Sequence, residues 1–208
     1  SSVKHKLSEF AEKATGWSDL DITAGFLKSM PNQSVLFLAS SMAVRYACWL
    51  YEGNKSIQFF SNRGTSGIDG CLSSAIGVAE AMPEKKVFAL LGDMAFLYDR
   101  NAFWTRNIPS NLKILVLNNA GGNIFRILPA SASLPELEAY FEVQQSQTTA
   151  GICSDASVER FCADSPKEWE TVFPQWLASS ACSVLEVFTD KELNHRRYLE
   201  FRKSFSES

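Results

Sequence analysis

The chain has 208 residues, 46% of them hydrophobic and 21% charged, which is enough length and apolar content for one substantial core and not the composition of a disordered segment. A formal net charge of −3 with interspersed signs excludes the basic stripe of a nucleic-acid binder, and no apolar run approaches the roughly 18 residues of a membrane span. Five cysteines (Cys48, Cys71, Cys153, Cys162, Cys182) lie scattered without CxxC spacing, so they read as small buried residues in a reducing cytoplasm, not as a disulfide framework or a zinc site.

Taken in order, Ser1 to Ala14 has helical spacing and is expected to end near Gly16, so residues 1–30 read as an N-terminal helical connector ahead of one domain over 31–208. Ser18 is placed to cap a second helix, with Asp21 completing the cap and Pro31 ending the run. The continuous apolar stretch Ser34 to Ala39 then signals a strand covered on both faces. Ser40-Ser41 caps a helix from Met42 to about Tyr51, and Ile57 to Phe60 is a short strand leading into a flexible loop, Ser61 to Gly70. A small-residue helix follows over Cys71 to Ala79.

Val87 to Leu91 is the next buried strand, stopping at Gly92-Asp93, with a helix from about Ala95 to Arg106 after it. Ile114 to Leu117 is another, stopping at Asn118-Asn119-Ala120-Gly121-Gly122. Leu134 to Val143 reads as a short helix, and Gln144 to Asp155 as a polar loop without periodicity. A helix around Trp169 to Ser179 opened by Pro166, a strand Ser183 to Phe188 and a charged helix Lys191 to Phe205 complete the chain. His195-Arg196-Arg197 reads as a solvated face of that last helix. Strands alternating with helices at this spacing imply an α/β fold, a doubly wound and mostly parallel sheet with helices on both faces.

Ligands of such sheets bind beyond the carboxyl ends of the strands, where three ends here carry polar or glycine-rich sequence. Asp93 offers a carboxylate, Asn119 a side-chain carbonyl, and the glycines at 121 and 122 let a backbone carbonyl approach, a donor set for a hard divalent cation holding a phosphate. Alone, Asp93 serves equally as a helix N-cap and Asn118 to Gly122 as an ordinary turn. Their separation of 26 residues is what a strand-helix-strand crossover needs to bring two strand ends together. Neither a P-loop nor a GxGxxG fingerprint is present. Arg45 and Arg63 at the same edge suit carboxylate recognition, or else surface ion pairs, and Ile124, Phe125 and Leu128 suit a core as well as a pocket wall.

Gly92-Asp93 followed at a crossover's length by Asn118-Asn119 resembles the thiamin-diphosphate motif of the enzymes that use that cofactor. Ser61 to Gly70, Leu97-Tyr98-Asp99 with Asn101, and Asn118 to Phe125 with Leu128-Pro129 are similar, more narrowly, to the 2-succinyl-5-enolpyruvyl-6-hydroxy-3-cyclohexene-1-carboxylate synthases of menaquinone biosynthesis. The resemblance covers about Val35 to Pro129. It implies that Asp93, Asn119 and the carbonyl of Gly121 bind Mg²⁺ or Mn²⁺. Gly92, Met94 and Ala95 would then lie along the diphosphate, and Ile68 would prop the bent cofactor. Ser41, Arg45, Arg63, Ile124, Phe125 and Leu128 would line the active site, with the arginines meeting substrate carboxylates.

The implied reaction is decarboxylation of 2-oxoglutarate and addition of the resulting carbanion to isochorismate. Two departures stand out. Met94 replaces the Gly that usually follows Gly-Asp, which favours the narrower family, and Ala95 replaces a frequent Ser, leaving only a backbone N–H for the phosphate. Members of the family also carry a pyrimidine-binding domain and a middle domain, so the chain is expected to be the C-terminal diphosphate-binding part of a homodimer or homotetramer. It is expected to be inactive alone because a partner subunit's pyrimidine-binding domain completes the site. The alternatives are the same domain of another thiamin-dependent decarboxylase or acetolactate-type synthase, or a non-catalytic assembly module of this fold.

Overall fold

The computed structural model describes residues 16–206, so the expected helix over Ser1 to Ala14 lies outside the described residues. Six parallel strands form one sheet: β1 (Val35–Leu38), β2 (Gln58–Phe60), β3 (Val87–Gly92), β4 (Leu112–Asn118), β5 (Glu159–Ala163) and β6 (Ser183–Phe188), in the order β2-β1-β3-β4-β6-β5. From β1 the chain moves outward to β2 and then returns to the other side of β1 as β3, so the strand order reverses between β1 and β3. Val87 to Leu91 and Leu112 to Val116 have apolar side chains at most 1% exposed wherever they are apolar, and successive residues of a strand point to opposite faces. Both faces of the central sheet are therefore covered, as the unbroken apolar runs imply.

The helices are α1 (Asp19–Ser29), α2 (Met42–Leu50), α3 (Cys71–Ala81), α4 (Asp93–Tyr98), α5 (Ile124–Ile127), α6 (Pro129–Ala132), α7 (Ala150–Asp155), α8 (Pro166–Ala178) and α9 (Lys191–Ser206). A 3₁₀ turn covers Arg100–Trp104 and a π-helical turn Leu137–Glu142. The helix expected from Ala95 starts two residues earlier, at Asp93 itself, and breaks at Asp99, whose buried carboxylate accepts from Ser73 N (2.6 Å) and Ser73 Oγ (2.8 Å) and so ties α4 to α3. The polar stretch after Gln144 holds α7, and strand β5 lies in a stretch where none was expected.

Residues 16–30 are built into the core. Phe26 on α1, Phe88 on β3 and Trp176 on α8 form a closed aromatic triangle with ring centroids 5.8–6.3 Å apart. Ser18 starts α1 with a full capping box: its hydroxyl accepts from Asp21 N (3.3 Å), and the Asp21 carboxylate reaches back to Ser18 N (3.3 Å). Arg197 on α9 then pairs with Asp21 at 2.9 Å, so the basic cluster of the last helix is not simply a solvated face. All five cysteines are free, but Cys48 and Cys162 are exposed, against the expectation that all five are buried. Among the described residues no helix is long and apolar enough to cross a membrane.

Replacing the cap residue, Ser18→Ala, removes an acceptor from the first turn of a helix whose apolar face is core. The expected cost is on the order of 1 kcal/mol, a drop of roughly 2–4 °C in the thermal midpoint for a domain of this size. An unchanged midpoint in a calorimetric scan would show that the cap contributes nothing.

A candidate cation and diphosphate cleft at the strand ends

β1, β3 and β4 end side by side, and β3 pairs with β4 in parallel register through Gly92 opposite Leu117. Asp93 and Asn119 thus leave neighbouring strands at the same edge, beside the point where the strand order reverses. A cleft of about 800 Å³ opens there, within the range of small-molecule sites. Gly92, Asp93, Met94, Ala95, Asn119 and Gly121 all border it.

Asp93 is 3% exposed. Its carboxylate accepts from Met94 N (2.8 Å) and from Gln145 Nε2 (2.7 Å), and no cationic side chain among the described residues is paired with it. Burial outweighs these hydrogen bonds and, with the nearby charge of Asp19, lifts the carboxyl to about 6. Asn119 is 8% exposed and donates through Nδ2 to Asp19 Oδ2 at 2.7 Å, while its Oδ1 is buried and has no partner. An orphaned buried carbonyl oxygen beside an unneutralised buried carboxylate is a donor pair lacking its acceptor, and a hard oxygen-seeking cation supplies one. The donors here are all oxygen, which would suit a hard Mg²⁺-like ion better than zinc; among the described residues no group of three or more His, Cys, Asp or Glu could hold a metal.

Asn118 does a different job. Its Nδ2 donates to Glu186 Oε1 (2.8 Å) and its Oδ1 accepts from Ala120 N (3.2 Å), which holds the turn that aims Asn119 outward. Glu186 is fully buried and is balanced by Arg160 at 2.7 Å and by the backbone and hydroxyl of Thr149. Ala120 (φ 63°) and Gly121 (φ 147°) then carry the chain through left-handed backbone. At Gly121 a Cβ would sit 2.6 Å from the carbonyl oxygen of Glu142, and Gly122 N donates to that same oxygen at 2.7 Å. The glycines admit the segment Leu137–Glu142 against the turn, and Arg126 clamps it through Glu142 (2.6 Å) and Glu138 (2.9 Å).

The remaining expected residues form the walls and rim of the same cleft. Ser41 bends the chain between β1 and α2 at φ 72°, and its hydroxyl makes no capping bond, although the sequence suggests one. Arg45 Nη1 donates to the Ser41 carbonyl at 2.6 Å. Arg63 stands exposed on the loop after β2, and neither arginine forms an ion pair among the described residues. Ile68 and Ile124 are half-buried against the edge of the core and also line the cleft, while Phe125 and the 39%-exposed Leu128 belong to its wall alone. The floor of the cleft is therefore negative, and its rim carries Arg45 and Arg63 with the exposed carboxylate of Asp69 beside them.

Sequence reasoning missed Asp19, Gln145 and the segment around Glu142, all of which reach this cleft or its ligands. Only Gln145 had a signal: it lies in a long polar stretch inside a compact domain.

Two outcomes follow. Asp93 holds its proton more tightly in the folded chain than in the unfolded one, so its contribution to stability is full below the ordinary carboxyl value of 3.8 and is lost as pH rises through about 6. The midpoint difference between the unaltered chain and Asp93→Asn, measured in chelator across that window, should shift in favour of the unaltered chain as pH falls; a flat difference would contradict it. Gly121→Ala meets the Glu142 carbonyl in strained backbone and should cost about 1–3 kcal/mol and expose residues 134–149 to limited proteolysis. Gly77→Ala, mid-helix with nothing within 4 Å, should be neutral or stabilising in the same assay.

Residues 39–187 match the family model described as thiamine pyrophosphate enzyme, C-terminal TPP binding domain. Similar curated proteins are named 2-succinyl-5-enolpyruvyl-6-hydroxy-3-cyclohexene-1-carboxylate synthase. One from Christiangramia forsetii is 39% identical over 186 residues (89% of this chain, 32% of that protein). One from Flavobacterium johnsoniae is 40% identical over 187 residues (89% and 33%), and one from Cytophaga hutchinsonii 35% over 203 residues (97% and 36%). The chain spans about a third of the length of these relatives. The matched stretch begins just after β1, takes in the ends of β3 and β4 and every wall of the cleft described above except Asp19, and the chain belongs to the family of C-terminal thiamine pyrophosphate-binding domains of thiamine pyrophosphate enzymes.

Proposed function

We propose that this chain is the diphosphate-binding domain of a 2-succinyl-5-enolpyruvyl-6-hydroxy-3-cyclohexene-1-carboxylate synthase, which decarboxylates 2-oxoglutarate and adds the resulting carbanion to isochorismate. The observation that carries the reading is the partnerless Asn119 Oδ1 next to the buried Asp93 carboxylate on two adjacent strand ends. In this reading Asp93, Asn119 and the Gly121 carbonyl hold Mg²⁺ or Mn²⁺, and the cation anchors the diphosphate of the cofactor. When bound, thiamin diphosphate supplies the carbanion chemistry. The chain's own residues bind, orient and shield: Ile68, Ile124, Phe125 and Leu128 supply apolar wall, and Arg45 and Arg63 meet the carboxylates of two anionic substrates. Ser41, held in strained backbone at the mouth, offers an uncommitted hydroxyl to the same substrates.

The site is completed from outside the chain. Tyr98 (59% exposed), Tyr140 (77%) and Val143 (47%) present apolar surface around the opening, as a face covered by a second domain would. A pyrimidine-binding domain of a partner subunit is the proposed cover, in a homodimer or homotetramer, and the chain alone is inactive.

The test is calorimetric titration of the chain with thiamin diphosphate in Mg²⁺, followed by addition of the complementary domains and an assay of 2-oxoglutarate decarboxylation with isochorismate as acceptor. Binding should be metal-dependent and should be lost on Asp93→Ala, and activity should appear only in the reconstituted protein. Absence of binding even with the complementary domains present would overturn the reading; turnover of a different 2-oxo acid alone would reassign it to another thiamin-dependent enzyme.

A further inference from the structure

Asp19 stands 100 residues before Asn119 in the chain and at the first position of a different helix, yet its carboxylate is 2% exposed at the floor of the cleft. Oδ2 accepts from Asn119 Nδ2 at 2.7 Å and Oδ1 from Thr189 Oγ1 at 2.6 Å. Asp19 is itself fixed from behind: its N–H donates to Asn194 Oδ1 at 2.8 Å, and Asn194 Nδ2 donates to Thr189 Oγ1 at 3.1 Å. Thr189 N in turn donates to the Asn118 carbonyl at 3.0 Å, which returns the network to the turn that carries Asn119. No cationic side chain pairs with Asp19 among the described residues.

A carboxylate only accepts hydrogen bonds, and a primary amide has one accepting end and one donating end. Turning the Asn119 amide by 180° would set its oxygen against Asp19 Oδ2, two lone-pair oxygens in a buried site, and would point its NH₂ at the place a cation must occupy. Asp19 forbids that rotamer. We infer that Asp19 is a positioning residue for the cation, one that locks the Asn119 amide with its oxygen toward the cleft and adds a second negative charge beneath it. This rests on the cofactor reading above. It gives the buried charge of Asp19 a purpose that packing alone does not, since burial pushes this carboxyl up from its usual value and its neutral hydrogen-bond donors offset the effect only in part.

The discriminating variant is Asp19→Asn, which keeps size and shape but offers a donor that accepts either orientation of Asn119. With the 208-residue chain, Mn²⁺ binding in the presence of thiamin diphosphate is followed by calorimetry and by electron paramagnetic resonance. The expected result is a loss of about 10- to 100-fold in Mn²⁺ affinity, the range for a partner of a metal ligand, with the midpoint of the metal-free chain unchanged or raised because a buried unpaired charge is gone. Equal Mn²⁺ affinity in the variant overturns the inference while leaving the cofactor reading intact. A variant that loses affinity and stability together also overturns it, since Asp19 would then only hold the fold. No binding by the unaltered chain, alone or with its complementary domains, sinks the cofactor reading first. Should Asp19→Asn not fold, the Asn119 side-chain amide in the unaltered, metal-free chain decides: protons slow to exchange and close to Thr189 by nuclear Overhauser effect support the lock, and fast exchange rejects it.

Discussion

The parallel pairing of β3 with β4 is the constraint on which the rest depends. Two buried strands in register, Gly92 opposite Leu117, place Asp93 and Asn119 at one edge without any loop having to reach. Neighbouring strands lie about 4.8 Å apart, so groups one or two residues beyond their ends fall within the span of a single coordination shell. The same burial that holds the strands rigid removes water from the carboxylate between them, and the Asp93 carboxyl rises to about 6 in response. Charge has been placed where it is costly. Among the described residues only neutral donors, such as the Gln145 amide and Met94 N, meet it.

Adjacent asparagines divide the work at the end of β4. Asn118 faces inward to Glu186 and Ala120 and fixes the turn; Asn119 faces the cleft and keeps an oxygen unspent. Glu186 is the junction. Its fully buried carboxylate takes hydrogen bonds from Asn118, Thr149 and Arg160, so β4, β5, β6 and the polar stretch before α7 meet at one group. A buried ion pair of this kind is weak evidence for stability, but removing one partner leaves the other uncompensated, which makes the turn geometry hard to relax. Gln145 follows from this junction: Thr149 is tied to Glu186, and four residues earlier Gln145 N donates to the Ala120 carbonyl while its side chain reaches Asp93.

What could be read from the sequence follows from which signals are local. The central strands announce themselves through unbroken apolar runs, and Asp93 and Asn119 through their position at the ends of those runs. β5 does not: Glu159–Ala163 is an edge strand of mixed exposure, with neither an apolar run nor clean alternation, so nothing in its residues separates it from the loop before it. Asp19 is harder still. An acid at the first position of a helix is the ordinary complement of the helix dipole, and only the tertiary packing of α1 against β4 and α9 turns it toward Asn119. Ser41 shows the reverse error. Its sequence position is that of a helix cap, and the positive φ that carries the chain from β1 into α2 takes its hydroxyl out of capping reach.

The sign of charge along the cleft orders its chemistry. Asp93 and Asp19 make the floor negative, and Arg45 and Arg63 bring positive charge to a rim that also carries Asp69. In the proposed reading, a diphosphate approaching this floor meets two buried carboxyl groups where charges are poorly screened, and a divalent cation arriving with it would offset the repulsion. Cation and cofactor would then be coupled by electrostatics as much as by coordination. The arginines cannot substitute for the cation, because Arg63 is on an exposed loop and Arg45 is drawn back onto the Ser41 carbonyl. In the proposed reading, their place on the wall of the cleft suits them to the carboxylates of an anionic substrate.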